Sequence, residues 1–540
     1  MPVFHSMAVV MYTSGSTGKP KGVMIRHGAM LAEVAGVVHH FSPVIKPGEE
    51  VFAAFLPLAH ILALVAEQSQ LAVGAAIGYC DPRTLTQSGS EPVGALAAFK
   101  PTIMAAVPKI WDVIKKGAEA KAKAGGGVKH YIFQTAIATK IAMRKLGMDT
   151  PLFNALVFKK IGEITGGRLK IAISGGGPLD KQVQEFCSAA ICPIIQGYGL
   201  TETLGGNCIQ PIGDTRPSVV GIPLSSVKVR LIDARTEDGT GFVTDTHGKP
   251  YLANDTVNAS GQPCGGRGEV LIGGNTVSEG YFKMVKETSE AYITKDGERW
   301  FATGDVGEWT PDGCLKIVDR KKNLVKLLGG EYVPVEFMEC TYANSLYVDA
   351  LAGGMMVYAD GTMDRSVAFV QANKKELLAW AESKKLDTAW PALLQMPEAR
   401  AFVWNDLLVT GKAGGLGDLE TLWNVTLLDG SMGDGPDAWT PANGSLTATN
   451  KIQRKVPPPL RWAPAACNAC DVRGGVCERA RVCGAVCLES SVSWSSVLVC
   501  FAFKCLLVCL GLTDITLGRP VRRPPRLSRT SMECLPGRRR

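Results

Sequence analysis

Residues 11–27 read MYTSGSTGKPKGVMIRH, and what this stretch holds decides how the rest of the chain is read. Small residues leave the main chain unshielded, so successive N–H groups can converge on an anion, with hydroxyls and lysine as further donors. The preceding MAVVMYTS is a short apolar run ending in turn formers and reads as a buried strand, while HGAMLAEVAGVVHHF beyond it has helical character. Strand, phosphate-type loop and helix is the order expected at one edge of an α/β sheet. The loop is not a Walker A sequence: Gly18-Lys19 runs into Pro20, and Thr13 stands where the leading glycine belongs. By spacing alone, a flexible surface turn remains an alternative.

The same alternation recurs through TIMAAVP, LKIAISGGGPLD, DKQVQEFCSAA and PIIQGYGLTET. Two glycine-rich stretches there each follow an apolar strand, which places them at strand carboxyl ends, where open α/β sheets bind ligands. From Val227 the pattern changes to short strands and turns, in VKVRLID, GEVLIGG and DGCLKIVD. A charged step, RKKNLVKLLGGEYV, then leads into a smaller region of mixed strand and helix signals, with a boundary expected at Asp319 to Lys322. Met and aromatic positions around PTIMAAVPKIW read as core.

Length and composition fit a soluble enzyme of more than one domain: 540 residues, 46% apolar and 20% charged. The net charge of +8 is confined to the end of the chain, because residues 461–540 hold 13 basic and 5 acidic residues while residues 1–460 hold 45 of each. A nucleic-acid-binding body therefore has no electrostatic support. Nine of the 16 cysteines lie between Cys467 and Cys534, and the other seven are scattered as expected of reduced cytosolic thiols. MPVFHSMAVV lacks the basic start and long apolar run of a secretory signal.

YTSGSTGKPKGV resembles the phosphate-loop signature of the AMP-forming acyl-activating superfamily, which includes acyl-CoA synthetases, adenylation domains and firefly luciferase. FLPLAHILALVAE, AISGGGPLD, QGYGLTET, WFATGDVGEWTPDGCLKIVDRKKNLVKL and, more weakly, WTPANGSLTATNKIQRK match in the same order. The wording is similar to the long-chain acyl-CoA synthetases, from about residue 8 to 456. This resemblance implies an α/β fold: a large acyl-adenylating domain over 1–319, partial at its N-terminal side, and a small mobile α+β domain over 320–460. It implies long-chain fatty acid activation, ATP + fatty acid + CoA giving acyl-CoA, AMP and diphosphate through an acyl-adenylate. The alternatives are a ligase for another carboxylic acid and an inactive nucleotide-binding fragment.

Carried over by the resemblance, Thr13, Ser14, Gly15, Ser16, Thr17, Gly18 and Lys21 cradle the β and γ phosphates of ATP. Glu202 ligates Mg²⁺, and Thr201 contacts the α phosphate. Gly175, Gly176, Gly177, Pro178, Gln196, Gly197 and Tyr198 line the adenine pocket, Asp305 and Arg320 hold the ribose, and His60 borders the acyl and thiol entrance. Lys322 is the hinge, and Lys451 reaches the reacting centre in the first step. Read without the motif, Glu202 is a helix-start carboxylate, Asp305 a turn former, His60 a core histidine and Lys451 part of a solvated basic run.

The resemblance also implies that the large domain lacks its first portion here, as a truncated gene model or fragment would. Residues 461–540 are expected to be disordered or a gene-model artefact. Cys467-x2-Cys470 is followed by uneven spacings and no histidine, which disfavours zinc, and SVLVCFAFKCLLVCLGL (496–512) is short for a membrane span and carries Lys504. The family implies association with a membrane surface, and the expected location is the cytosol or the cytoplasmic face of an intracellular membrane such as the endoplasmic reticulum. Oligomeric state is not legible.

Overall fold

The computed structural model describes residues 3–13, 20–86, 92–237, 239–349, 353–386, 389–430, 435–440, 443, 445, 446 and 452. All belong to one compact unit, Met1–Ala485; a second, Val486–Arg540, lies outside the described residues.

A hairpin comes first. β1 (Met7–Thr13) pairs antiparallel with β2 (Lys21–Arg26), which sets the two ends of the glycine-rich stretch, Thr13 and Lys21, opposite each other. The expected strand–loop–helix order is thus corrected: a second strand intervenes before α1 (His27–Phe41), and the hairpin is a two-stranded sheet of its own. Nor is β1 a buried strand, since Met11 alone among its residues is buried. The second strand supplies the inner face instead, because Val23 and Ile25 point the same way at period two and are fully buried.

β3 (Val51–Ala54), α2 (Ile61–Ala72), β4 (Ala76–Tyr79), α3 (Ala95–Phe99) and β5 (Ile103–Ala106) follow. Next come α4 (Pro108–Ala124), α5 (Gly127–Lys145), α6 (Pro151–Phe153), a π-helical turn (Asn154–Phe158) and α7 (Lys159–Gly162). β6 (Ile171–Ser174), α8 (Lys181–Ala190), β7 (Ile194–Tyr198), β8 (Cys208–Ile209) and β9 (Ile222–Pro223) complete a seven-stranded sheet of order β4-β3-β5-β6-β7-β8-β9. Its first five strands are parallel and the last two antiparallel.

Every residue of β5 is buried, because alternate side chains enter two cores. Met104 and Ala106 pack with Trp111, Ile114, Phe133 and Phe186 of the covering helices α4, α5 and α8. Ile103 and Ala105 pack with Val227, Leu231, Val270, Ile272 and Leu315 of a second sheet. That sheet is antiparallel and contains β10 (Val227–Ile232), β11 (Arg267–Gly274), β12 (Tyr292–Lys295), β13 (Glu298–Trp309) and β14 (Leu315–Arg320), with α9 (Val285–Ala291) leading into β12.

Beyond a turn at 321–323, β15 (Leu324–Lys326) and β16 (Tyr332–Pro334) pair, and α10 (Val335–Tyr342) follows. β17 (Met355–Tyr358), β18 (Val367–Gln371), α11 (Lys374–Ser383), α12 (Pro397–Gly414) and β19 (Asn424–Leu428) build a three-stranded sheet and its helices. This region has its own core, with Val333, Met338, Val370, Leu377 and Leu407. It meets the first part where Lys116 Nζ donates to the Ala343 carbonyl at 2.9 Å and the Cys340 thiol to the Pro178 carbonyl at 3.3 Å. The whole is an α/β architecture of layered sheets and helices followed by a smaller α+β part.

Candidate active site

The loop after β7 carries Thr201 and Glu202 in a single 3₁₀ turn, Thr201–Thr203, entered from extended Leu200 and left through Leu204 in the left-handed region at φ 62°. Main-chain bonds fold the loop tightly: Gly205 N donates to the Leu200 carbonyl at 2.9 Å and Asn207 N to that of Tyr198 at 2.7 Å. Gly199 is obligatory there, since a Cβ on it would lie 0.9 Å from the Gly205 carbonyl oxygen. Beneath, the buried carboxyl of Glu33 on α1 accepts from Gly206 N at 2.7 Å.

Glu202 is half-buried, and its Oε1 accepts from the Tyr281 phenol at 2.8 Å. The Tyr281 ring in turn lies 4.8 Å from Lys21 Nζ. Residue 281 is held there because its segment pairs with β2: Phe282 N donates to the Gly22 carbonyl at 2.7 Å and Met24 N to that of Gly280 at 2.9 Å. Ser278 N also donates to the Glu202 carbonyl at 2.9 Å. Burial and the neighbouring Glu202 carboxylate both push the Tyr281 phenol far above its ordinary value, so it remains a donor.

A second cluster joins β7 to β13 and β14. The Tyr198 phenol donates to Asp305 Oδ2 at 2.6 Å, and Asp305 faces Arg320 across the β13–β14 ladder with Nε to Oδ1 at 3.3 Å. Asp305 is buried whereas Arg320 is half-exposed. Burial first, and then the Asp305 charge, hold the Tyr198 phenol well above its ordinary value. Arg320 is kept more firmly protonated by Asp305 first, against the opposing effect of burial, with Glu336, Tyr198 and Glu202 adding to it.

Gly175 and Gly176 follow β6. A Cβ on Gly175 would sit 3.5 Å from the Gly197 carbonyl, and one on Gly176, at φ +84°, would sit 3.5 Å from the His60 ring. His60 caps α2, its Nδ1 accepting from Leu62 N at 3.2 Å, which assigns the ring proton of the neutral form to Nε2 on the side away from the helix. A Cβ on Gly177 would lie 3.8 Å from Pro108, and the Pro178 carbonyl meets Cys340. Gln196 differs from the rest: it is buried, its amide donates to Gln184 at 2.9 Å, and its N–H donates to Gln210 at 2.7 Å, so its side chain serves the sheet core.

Lys322 is exposed in the turn between β14 and β15. Around it, Asn323 Nδ2 donates to Asp319 at 3.2 Å and to Glu336 at 2.5 Å, tying the turn to the start of α10. Ser14, Gly15, Ser16, Thr17, Gly18 and Lys451 lie outside the described residues. Tyr281 escaped the sequence reading; the only available signal was period-two burial in KGVMIR, which asks for a pairing partner. A cavity of about 570 Å³ opens elsewhere, between α5, the 154–163 segment and the end of α8, and holds none of the anticipated site residues.

Residues 2–282 match the model of the AMP-binding enzyme family, and the chain belongs to that family. It is 37% identical over 468 residues to long chain acyl-CoA synthetase 8 of Arabidopsis thaliana, covering 84% of this chain and 61% of the relative. It is 35% identical over 461 residues to long-chain-fatty-acid–CoA ligase 1 of Schizosaccharomyces pombe, covering 84% and 63%. The chain thus spans about six tenths of the length of these curated relatives. Its fold is similar to the adenylation domain of a carboxylate reductase from Mycobacterium chelonae, at TM-score 0.60 and 22% identity over 86% of this chain and 61% of that one. It is also similar to O-succinylbenzoate CoA synthetase of Bacillus subtilis in complex with AMP, at TM-score 0.52 and 17% identity over 84% and 69%.

Proposed function

We propose that the protein activates long-chain fatty acids: ATP, fatty acid and CoA give acyl-CoA, AMP and diphosphate through an acyl-adenylate. The observation that carries this reading is the cluster of Tyr198, Asp305 and Arg320 drawn from β7, β13 and β14, with Glu202 in the loop directly after β7, in an AMP-binding enzyme. The names of its relatives, long-chain acyl-CoA synthetase and ligase, support the acid class.

In the first step a carboxylate oxygen attacks the α phosphorus and diphosphate leaves; in the second the CoA thiolate attacks the acyl carbon and AMP leaves. Asp305 accepts from the ribose hydroxyls, its orientation fixed by Tyr198 and Arg320. Thr13 and Lys21, set opposite each other by the hairpin, serve with the intervening glycine-rich sequence to bind the phosphate chain. His60 borders the glycine stretch 175–178, where acyl group and thiol meet. Lys451 approaches the reacting oxygen in the first step, and rotation of residues 320–460 about Lys322 withdraws it before the second. The site of action is the cytosol or the cytoplasmic face of an internal membrane.

Mg²⁺ fits the donor set. Among the described residues no group of three or more acidic, histidine or cysteine side chains forms a cage. One half-buried carboxylate, Glu202, stands beside the phosphate-facing residues, and Mg²⁺ is commonly held by one or two carboxylates plus substrate phosphates. Bound there, it supplies positive charge to the phosphate oxygens.

The test is ATP–diphosphate exchange by the full chain with palmitate, acetate or benzoate, followed by thioester formation with CoA. Palmitate-dependent exchange, reduced in Glu202→Gln, is the expected result. Exchange driven by acetate or benzoate in preference to palmitate would overturn the acid class, and exchange with none of them would overturn the activity.

A further inference from the structure

Residues 121–160 carry eight lysines and arginines against one acid, Asp149, in a body, residues 1–460, whose charges sum to zero only with this stretch included. The same stretch concentrates exposed apolar side chains. On α5, Val128 (75% exposed), Tyr131 (70%) and Ile132 share one face with Thr135, Ala142 and, just past its end, Leu146 (69%). The opposite face is accounted for: Phe133 and Ala136 are buried, with Phe133 packed against Phe186 of α8 at 6.0 Å between ring centroids. α5 is therefore apolar on two sides, and only one has a core beneath it. Met148, Leu152 and Leu156 continue the exposed apolar surface beyond the helix.

Lysines flank these residues in the sequence. Lys121, Lys123, Lys129, Lys159 and Lys160 are exposed, and none has an acid within ion-pair distance among the described residues. Lys145 is two-thirds exposed beside Glu185 at 3.3 Å. Uncompensated lysines around an apolar face match a surface that is anionic outside and hydrocarbon beneath, since the stems cover apolar area while the ammonium groups reach headgroups. A nucleic acid would satisfy the charges and leave the leucines, valine and isoleucine in water. The other face of α5 is packed in the core, so the contact lies along the helix rather than through it.

We propose that the outward face of α5 and the 146–156 segment form a docking surface for an anionic lipid bilayer. The surface stands on its own charge and exposure and is independent of the activity proposed above.

Flotation of the full chain with phosphatidylcholine vesicles, with and without phosphatidylserine, tests it. Binding should require phosphatidylserine and weaken with added salt. Val128→Ser, Tyr131→Ser and Ile132→Ser together, and separately Lys121→Gln, Lys123→Gln and Lys129→Gln together, should each lower binding about tenfold or more. All six positions are exposed, so thermal midpoints should stay at the wild-type value and separate lost docking from lost folding. The proposal fails if the wild-type chain does not bind these vesicles, or if both triple variants bind as it does, which would locate attachment elsewhere, such as residues 496–512. Association of the chain with itself or with an acidic protein in place of vesicles would equally overturn it.

Discussion

The Tyr281 phenol donates to Glu202 Oε1 at 2.8 Å while its ring lies 4.8 Å from Lys21 Nζ, so one aromatic side chain ties the carboxylate of the β7 loop to the lysine of the hairpin. Tyr281→Phe removes the donor and keeps the ring. A hydrogen bond to a charged acceptor contributes about 1.5–3 kcal/mol, so the Mg²⁺ concentration for half-maximal exchange should shift by about tenfold or more, with a loss of fold stability no larger than that range. Unchanged Mg²⁺ dependence would detach Tyr281 from the site. Tyr281→Ala should cost about 3 kcal/mol of stability besides, since the ring is buried.

Asp305 accepts from Tyr198 and pairs with Arg320, and its replacement by Asn keeps the shape while removing the charge. Arg320 is half-exposed and can hydrate, which limits the loss of fold stability to about 1 kcal/mol. AMP binding measured by calorimetry should weaken about tenfold or more, because hydrogen bonds to a charged acceptor are worth about 1.5–3 kcal/mol. Equal AMP affinity in wild type and variant would remove Asp305 from the ribose site.

The strands that end near Glu202 and Arg320 were legible as the apolar runs PIIQGYGLTET and DGCLKIVD, whereas the roles of Glu202, Asp305 and Arg320 come from the family resemblance alone. The parallel strands Ile103–Ala106 and Ile171–Ser174 read directly as short buried runs. Three things were not legible. β2 was read as part of the loop because only Val23 and Ile25 in KGVMIR declare its inner face. Gln196 sits in a motif that points to the adenine pocket, but its side chain donates to Gln184 of α8 while its main-chain N–H donates to Gln210, contacts no local pattern encodes. The basic, apolar surface of α5 was hidden by a charge count that averaged over the whole body.

Lys322 lies in the turn joining β14 to β15, on the side of the chain where residues 320–460 would swing. Lys322→Pro fixes φ near that of proline and restricts the residue before it. If residues 320–460 rotate between the half-reactions as proposed, thioester formation from supplied acyl-adenylate should fall about tenfold while palmitate-dependent exchange changes by less than about twofold. Equal loss in both assays would show that the turn is structural rather than a pivot.

Glu33 is fully buried on α1 and accepts from Gly206 N at 2.7 Å, inside the loop that carries Glu202. Burial raises its carboxyl well above the ordinary 4.5, with the Gly206 N–H pulling weakly the other way. The folded state therefore holds a proton that the unfolded state releases. Stability from this group is fully present below about pH 4.5 and is lost as pH rises through the raised folded value, by up to about 1.4 kcal/mol per pH unit in that window. Glu33→Gln keeps an acceptor for Gly206 and has no proton to lose. Its thermal midpoint should match wild type at acid pH and exceed it increasingly toward pH 8, the difference appearing as a flatter stability–pH curve. A variant curve parallel to wild type would mean that Glu33 is already ionised in the folded protein, with its second oxygen solvated.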